Sequence, residues 1–329
     1  MIITRTPFRI SFVGGGSDLP SFYEKHEGAV LSCSINKYMY ITIHPSFNKD
    51  ETVIKYNRTE VVNDVHKLRH PIARQLLLDH KIRGCEIVST ADVPSGTGLS
   101  TSSAYTVGLI HALYAYEGKY CSQERIAEEA CQLEIEELGE PIGKQDQYGT
   151  AVGGLKVIRF LQNGSVEVEP IVVNRSVQCE LNDNLILFYT GLTHNAGEIL
   201  KEQNKNVVNE YEKFNSLIKM TSLVYDMRDS LSRGKLDDFG SLLNENWKLK
   251  RTLSSSISND FIDNYYDVAI KNGALGGKLL GAGGGGFLLF YCPYEKQLRL
   301  KAALSDLELM PFDLENSGTK VVYVGNKDW

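Results

Sequence analysis

Pro94-Ser95-Gly96-Thr97-Gly98-Leu99-Ser100-Thr101-Ser102-Ser103-Ala104 is the stretch from which the rest of the chain is read. It follows a strand-like run, Cys85 to Ala91, and leads into a helical pattern from Ala104 to about Tyr116. Two glycines and four consecutive hydroxyl residues leave backbone N–H groups uncovered. The following helix points its free N–H groups and the positive end of its dipole at the same loop. Together these make a cradle for a phosphate chain, and Ser100, Thr101, Ser102 and Ser103 add hydroxyls for phosphate or for Mg²⁺. The loop is not a Walker A sequence, which requires a Gly-Lys pair before its hydroxyl residue. On residue type alone, a strand-to-helix connection with a surplus of N-capping side chains reads as well.

Working outward, the N-terminal third reads mainly as strand: Phe8 to Val13, Ala29 to Ile35, Tyr38 to His44 and Thr52 to Tyr56. Pro71 to His80 reads as a helix with Pro71 in its first turn. Arg125 to Leu138 reads as another helix, ended by Gly139 and Pro141. Asp146 then falls in a polar loop. Leu155 to Phe160 and Val166 to Val172 form a hairpin around Gln162-Asn163-Gly164. After a short strand, Leu185 to Tyr189, the pattern is almost wholly helical from about Ala196 to Asn272. Two apolar runs, Lys278-Leu279-Leu280 and Phe287 to Tyr291, flank a glycine loop. Pro293 to Leu304 reads as a helix and Lys320 to Val324 as a last strand. The change of pattern predicts two domains, residues 1–180 and 181–329, each long enough for a core.

Composition narrows the function. The 329 residues are 42% hydrophobic and 23% charged, which excludes a disordered chain. No apolar run reaches the ~18 residues of a membrane span. The start of the chain is not built like a signal peptide, so a cytoplasmic protein is expected, with no membrane partner. The net charge of −6 argues against non-specific nucleic-acid binding. Six scattered cysteines contain no C-x-x-C pair and are read as reduced, and the histidines lack metal-ligand spacing. Glycine is the outlier: 29 residues, clustered at Gly14-Gly15-Gly16, Gly96 and Gly98, Gly153-Gly154, Gly276-Gly277, and Gly281 with Gly283 to Gly286. Such bursts suggest backbone that must approach something closely.

The loop at Pro94 to Ala104 resembles the phosphate-loop motif of the GHMP kinases, with Ser100 where a glycine and Thr101 where a serine is usual. Two further stretches resemble that family's motifs in the right order. One is Thr6-Pro7-Phe8-Arg9-Ile10-Ser11-Phe12 followed by Gly14-Gly15-Gly16-Ser17-Asp18. The other is Lys278-Leu279-Leu280-Gly281-Ala282-Gly283-Gly284-Gly285-Gly286. The form Gly14 to Pro20, and Gly143-Lys144-Gln145-Asp146-Gln147-Tyr148-Gly149, resemble the sugar 1-kinase branch, heptose 7-phosphate kinases first and fucokinases next.

The resemblance implies an α+β fold of two domains, ribosomal-protein-S5-like at the N-terminus and ferredoxin-like at the C-terminus, with the active site between them. It implies ATP and Mg²⁺ as cofactors, a sugar phosphate as partner, and a monomer or homodimer. Pro94, Gly96, Gly98, Leu99, Ser100, Thr101, Ser102 and Ser103 would hold ATP, and Ser102 and Glu134 the metal. Asp146 would approach the acceptor hydroxyl, with Arg9 as the nearby cation where several relatives have lysine. Gly14, Gly15, Gly16, Ser17, Asp18, Lys144, Gly283 and Gly284 would contact the sugar. The implied reaction phosphorylates the anomeric hydroxyl of D-glycero-D-manno-heptose 7-phosphate, feeding nucleotide-activated heptose. His194 stands where relatives often carry arginine.

Each residue has a plainer reading. Asp146 could cap a turn, Glu134 could belong to a solvated acidic run with Glu136 and Glu137, Arg9 could be a strand-edge charge, and Asp18 could N-cap a helix from Leu19 to Tyr23. Other sugar 1-kinases, or a non-catalytic sugar and nucleotide sensor, are the rival functions.

Overall fold

Apolar residues alternate along two long strands, β1 (Ile2–Val13) and β2 (Gly28–Pro45), which pair antiparallel along most of their length. Between them lies a single helical turn, α1 (Pro20–Tyr23). The computed structural model describes residues 1–193 and 196–325. In chain order the next elements are β3 (Thr52–Lys55), β4 (Thr59–Val62), α2 (Pro71–Asp79), β5 (Cys85–Ala91), α3 (Thr101–Tyr116), α4 (Gln123–Cys131), α5 (Gln145–Ala151), β6 (Leu155–Phe160), β7 (Val166–Pro170) and α6 (Arg175–Asn184). Then come β8 (Leu185–Tyr189), four helices α7 (Ala196–Asn209), α8 (Tyr211–Ser232), α9 (Leu236–Thr252) and α10 (Asp260–Lys271), and β9 (Gly276–Leu279). The chain ends with β10 (Phe287–Tyr291), α11 (Gln297–Ala303), β11 (Glu308–Leu309), β12 (Leu314–Glu315) and β13 (Lys320–Val324).

The strands form two sheets. In the first, β13-β1-β2-β5-β3-β4 lie side by side, and β2 also pairs with β6 and β12. The 18-residue β2 can serve so many partners because its first half pairs β6 and its second half pairs β5, with a register shift against β1 between Pro7 and Phe8. The second sheet is antiparallel, in the order β11-β8-β10-β9. The sheets part company near residue 180, yet β12 and β13 return to the first one.

Both faces of the second sheet are buried, which is why β8 and β10 read as unbroken apolar runs. Leu185, Leu187, Leu289 and Tyr291 join the core shared with the first sheet. Their alternate neighbours Ile186, Phe188, Leu288 and Phe290 join a second core with Trp247 and Tyr266. Helix α3 is apolar nearly all round and is buried accordingly. Gly108 lets it lie close on β1, where the Thr4 hydroxyl donates to the Gly108 carbonyl at 2.8 Å. Among the described residues, no helix is long and apolar enough to cross a membrane.

Three expectations need correction. Asp146 is in the first turn of α5, not in a loop; that helix has seven residues, too few for periodicity to reveal. Helix α4 passes into a π turn at Gln132–Glu137 rather than running on as regular helix. Helix α1 starts at Pro20 with Leu19 at its N-cap, so Asp18 caps nothing there.

Candidate active site

The hydroxyl loop enters α3 through a strained residue. Ser100 occupies the N-cap with φ +63° and ψ +39°, a left-handed conformation that glycine favours, and its side chain makes no capping bond. Its Oγ is buried with no partner among the described residues. Gly98, at φ +84°, needs to be glycine on two counts, for a Cβ there would also lie 2.4 Å from the Leu280 carbonyl oxygen. Reciprocally, a Cβ on Gly281 would lie 2.6 Å from the Gly98 Cα. The two glycine loops are therefore in backbone contact, although they lie far apart in the sequence.

Arg9 ties this loop to the acidic residue of α5. Its Nη2 and Nε donate to Asp146 Oδ1 at 2.7 and 3.1 Å, and its Nη1 donates to the Gly98 carbonyl at 2.9 Å. The Arg9 backbone N–H also reaches the Leu99 carbonyl. Gly149, one turn after Asp146, makes room for the arginine stem: a Cβ there would come within 2.9 Å of Arg9 Cγ. Both arginine bonds go to one carboxylate oxygen. Asp146 Oδ2 has no protein donor among the described residues, and the side chain keeps 27% of its surface exposed while that of Arg9 keeps 3%.

Glu134 does not belong to a solvated run. The π turn directs it inward, while Glu136 and Glu137 stay partly or fully exposed. Its carboxylate accepts from Ser103 Oγ at 3.0 Å, Thr106 Oγ1 at 2.6 Å and Gln147 Nε2 at 2.5 Å. Ser103 and Thr106 share a face of α3. Burial pushes the Glu134 carboxyl up to about 7, outweighing the three hydrogen bonds, and the charge of Asp146 adds to the rise.

On the other side, Asp18 is fully enclosed. Oδ1 accepts from the Gly16 N–H and Gln145 Nε2, and Oδ2 from the Gln145 N–H. Burial, with Asp146 nearby, raises its pKa.

A cavity of about 450 Å³ joins these groups. Arg9, Gly15, Gly16, Asp18, Gly96 and Gly98 line it, as do Ser100, Thr101, Ser102, Ser103, Glu134 and Asp146. Other expected residues stand back from it. Pro94 accepts from Thr97 Oγ1, and Leu99 is buried beneath the loop. Ser17 Oγ donates to the Gly14 and Ala29 carbonyls, and a Cβ on Gly14 would strike Ala29, so both hold the turn together. Gly283 and Gly284 pack on Ile257, and Gly281 and Ala282 line the cavity in their place. Lys144 is drawn away: its Nζ donates to the Gly164 carbonyl and lies 5.2 Å from the Tyr23 ring centroid. His194 lies outside the described residues.

Sequence reasoning misses two buried cations on the cavity wall, Lys250 and Lys278. Burial pushes Lys250 down to about 8 and Lys278 well below the ordinary lysine range. A signal exists for Lys250: it continues the apolar stripe Leu243 and Trp247 along α9. Beside the first cavity lies a second, of about 490 Å³, which shares Ile72, Gly96, Thr101 and Ser102 with it. Its walls include Met39, Val93 and an aromatic group in which His70 stacks on Tyr105 at 4.7 Å and meets Tyr56 edge-on at 4.8 Å.

The chain is similar to known proteins in sequence and in fold. The GHMP kinases N terminal domain matches residues 64–154, and the GHMP kinases C terminal domain matches residues 227–307. A D-glycero-alpha-D-manno-heptose 7-phosphate kinase of Campylobacter jejuni is 30% identical over 315 residues, covering 92% of this chain and 93% of the relative. The bifunctional fucokinase/GDP-fucose pyrophosphorylase of Arabidopsis thaliana is 28% identical over 91% of this chain and 31% of its own. The crystal structure of a D-glycero-D-manno-heptose 1-phosphate kinase from Bacteroides thetaiotaomicron superposes with a TM-score of 0.81 at 23% identity, covering 99% of this chain and 100% of that one.

Proposed function

The chain belongs to the GHMP kinase family and is a phosphotransferase with an alcohol acceptor, and on that premise we propose that it phosphorylates the anomeric hydroxyl of D-glycero-D-manno-heptose 7-phosphate with ATP. One observation carries the reading: the hydroxyl loop at the start of α3 and the Arg9–Asp146 pair line one cavity. The named relative in Campylobacter jejuni supports the choice of acceptor.

In this reading the loop cradles the triphosphate with the uncovered N–H groups of α3 and the hydroxyls of Thr101 and Ser102. The adjoining cavity, with its apolar and aromatic walls, takes the nucleoside. Asp146 Oδ2 accepts the proton of the acceptor hydroxyl as its oxygen bonds to the γ-phosphorus and the bond to the leaving ADP breaks. Arg9 holds the other oxygen and so fixes the orientation of the carboxylate. Asp18, held by Gly16 and Gln145, presents its carboxylate edge to sugar hydroxyls.

The site also suits Mg²⁺. Glu134 is a buried carboxylate whose three donors are all neutral, so a cation would relieve its burial. Ser102 is exposed in the first turn of α3, and both line the cavity. Among the described residues there is no group of three acidic, histidine or cysteine ligands, as suits an ion that takes most of its oxygens from phosphate and water. When bound, Mg²⁺ would neutralise phosphate charge.

The test is purified protein with ATP, Mg²⁺ and a panel of sugars. Turnover of heptose 7-phosphate well above fucose and galactose is expected. Preference for a free hexose would remove the acceptor assignment and leave the kinase. Sugar and nucleotide binding without turnover of any sugar would favour the sensor.

A further inference from the structure

Lys250 of α9 and Lys278 of β9 have no part in the transfer just described, yet both line its cavity with 5% and 4% of their surface exposed. Neither has a carboxylate within ion-pair distance among the described residues. Lys250 Nζ donates to Gln203 Oε1 at 2.8 Å and to the Gly15 carbonyl at 3.3 Å, and Lys278 Nζ donates to the Ser11 carbonyl at 2.6 Å. These contacts leave N–H donors unused on both ammonium groups. Two more groups are unsatisfied in the same place. Ser11 lines the cavity, and among the described residues its buried Oγ has no hydrogen-bond partner and the buried Gln203 Nε2 has no acceptor. Asp18, whose charge acts on Lys250, is already engaged by Gly16 and Gln145. Buried cations facing neutral acceptors are costly unless an anion completes them.

We propose that Lys250 and Lys278, with the Ser11 hydroxyl, bind the phosphate that the acceptor sugar already carries. This rests on the kinase reading and names what makes the site prefer a sugar phosphate to a free sugar. Two ammonium groups and a hydroxyl suit the oxygens of a phosphate monoester. Ser11 is two residues beyond Arg9 on β1, on the same face and about 7 Å along the strand. In this arrangement the sugar would lie between its phosphate at Ser11 and its reacting hydroxyl at Asp146, which Arg9 holds. Gln203 acts as a positioning residue, its carbonyl oxygen orienting Lys250.

The experiment is calorimetry on the full chain without nucleotide, titrating D-glycero-D-manno-heptose 7-phosphate and the unphosphorylated heptose. The wild type should bind the phosphorylated sugar roughly a hundredfold more tightly. Lys250→Met and Lys278→Met keep the side-chain bulk and remove the charge. Each should shrink that gap by roughly tenfold or more, with free-heptose affinity nearly unchanged. In turnover, KM for the sugar phosphate should rise while kcat changes little. A wild type that binds both sugars equally, or neither, overturns the assignment, as do two well-folded variants that keep the gap. Equal losses for both sugars would overturn it too, moving the lysines to the part of the sugar that the two ligands share. If the gap behaves as expected but ATP and Mg²⁺ give no product, the anion site stands and the kinase reading fails.

Discussion

Arg9 and Lys250 are both buried cations on one cavity, and they differ in their company. Arg9 is held by the carboxylate of Asp146, whereas Lys250 meets, among the described residues, an amide and a backbone carbonyl. The first arrangement is complete in the protein alone and can orient a reacting group. The second is incomplete, and its missing partner is an anion that the protein does not supply. A buried charge with its counter-ion marks machinery, and one without it marks a place for a ligand.

The largest expected effect is at the completed pair. Asp146→Asn should lower kcat by roughly 10²–10⁴ while nucleotide affinity, measured by calorimetry, stays within a fewfold. Retained turnover would place the base elsewhere.

Glu134 comes next, as a buried carboxylate without a cation. Its pKa is raised from 4.5 to about 7, so the folded state favours the protonated form. This contribution to stability is full below pH 4.5 and is lost as pH rises to about 7, amounting to roughly 3 kcal/mol. Glu134→Gln should therefore be more stable than the wild type above pH 7, by up to about that amount, and equal to it near pH 4. Denaturant unfolding across this range measures the difference, and parallel curves would contradict it. The same variant should turn over more slowly.

Lys250→Met should weaken sugar-phosphate binding by roughly tenfold or more, yet not weaken the fold. The lysine pKa is lowered from 10.5 to about 8, so its burial penalty is absent above pH 10.5 and grows as pH falls to about 8. Thermal melts at pH 7 should show the variant at least as stable as the wild type. The smallest effect is at the loop: Ser100→Gly should relieve the left-handed backbone and stabilise by about 1 kcal/mol, read by chemical denaturation. A loss of stability there would mean that the Ser100 side chain does more than occupy the turn.

What is legible in the sequence follows the same divide. The phosphate loop, its helix and the long strands announce themselves through local patterns, and the glycine clusters mark loops that meet at Gly98 and Gly281. Asp146 stands out by its motif, but its helix is too short to see. Glu134 sits in a run with two other glutamates, Glu136 and Glu137, with nothing local to show that a π turn buries it. Lys250 and Lys278 escape notice because their meaning lies in packing: α9 brings Lys250 to the Gly15 carbonyl and β9 brings Lys278 to the Ser11 carbonyl. The return of β12 and β13 to the first sheet is equally non-local.

The most direct test of the central claim is ³¹P NMR of the reaction of heptose 7-phosphate with ATP and Mg²⁺. The account predicts a new phosphate resonance coupled to the anomeric proton, appearing in step with ADP while the 7-phosphate signal persists. ADP formed with no anomeric phosphate, or phosphate on another hydroxyl, would contradict it.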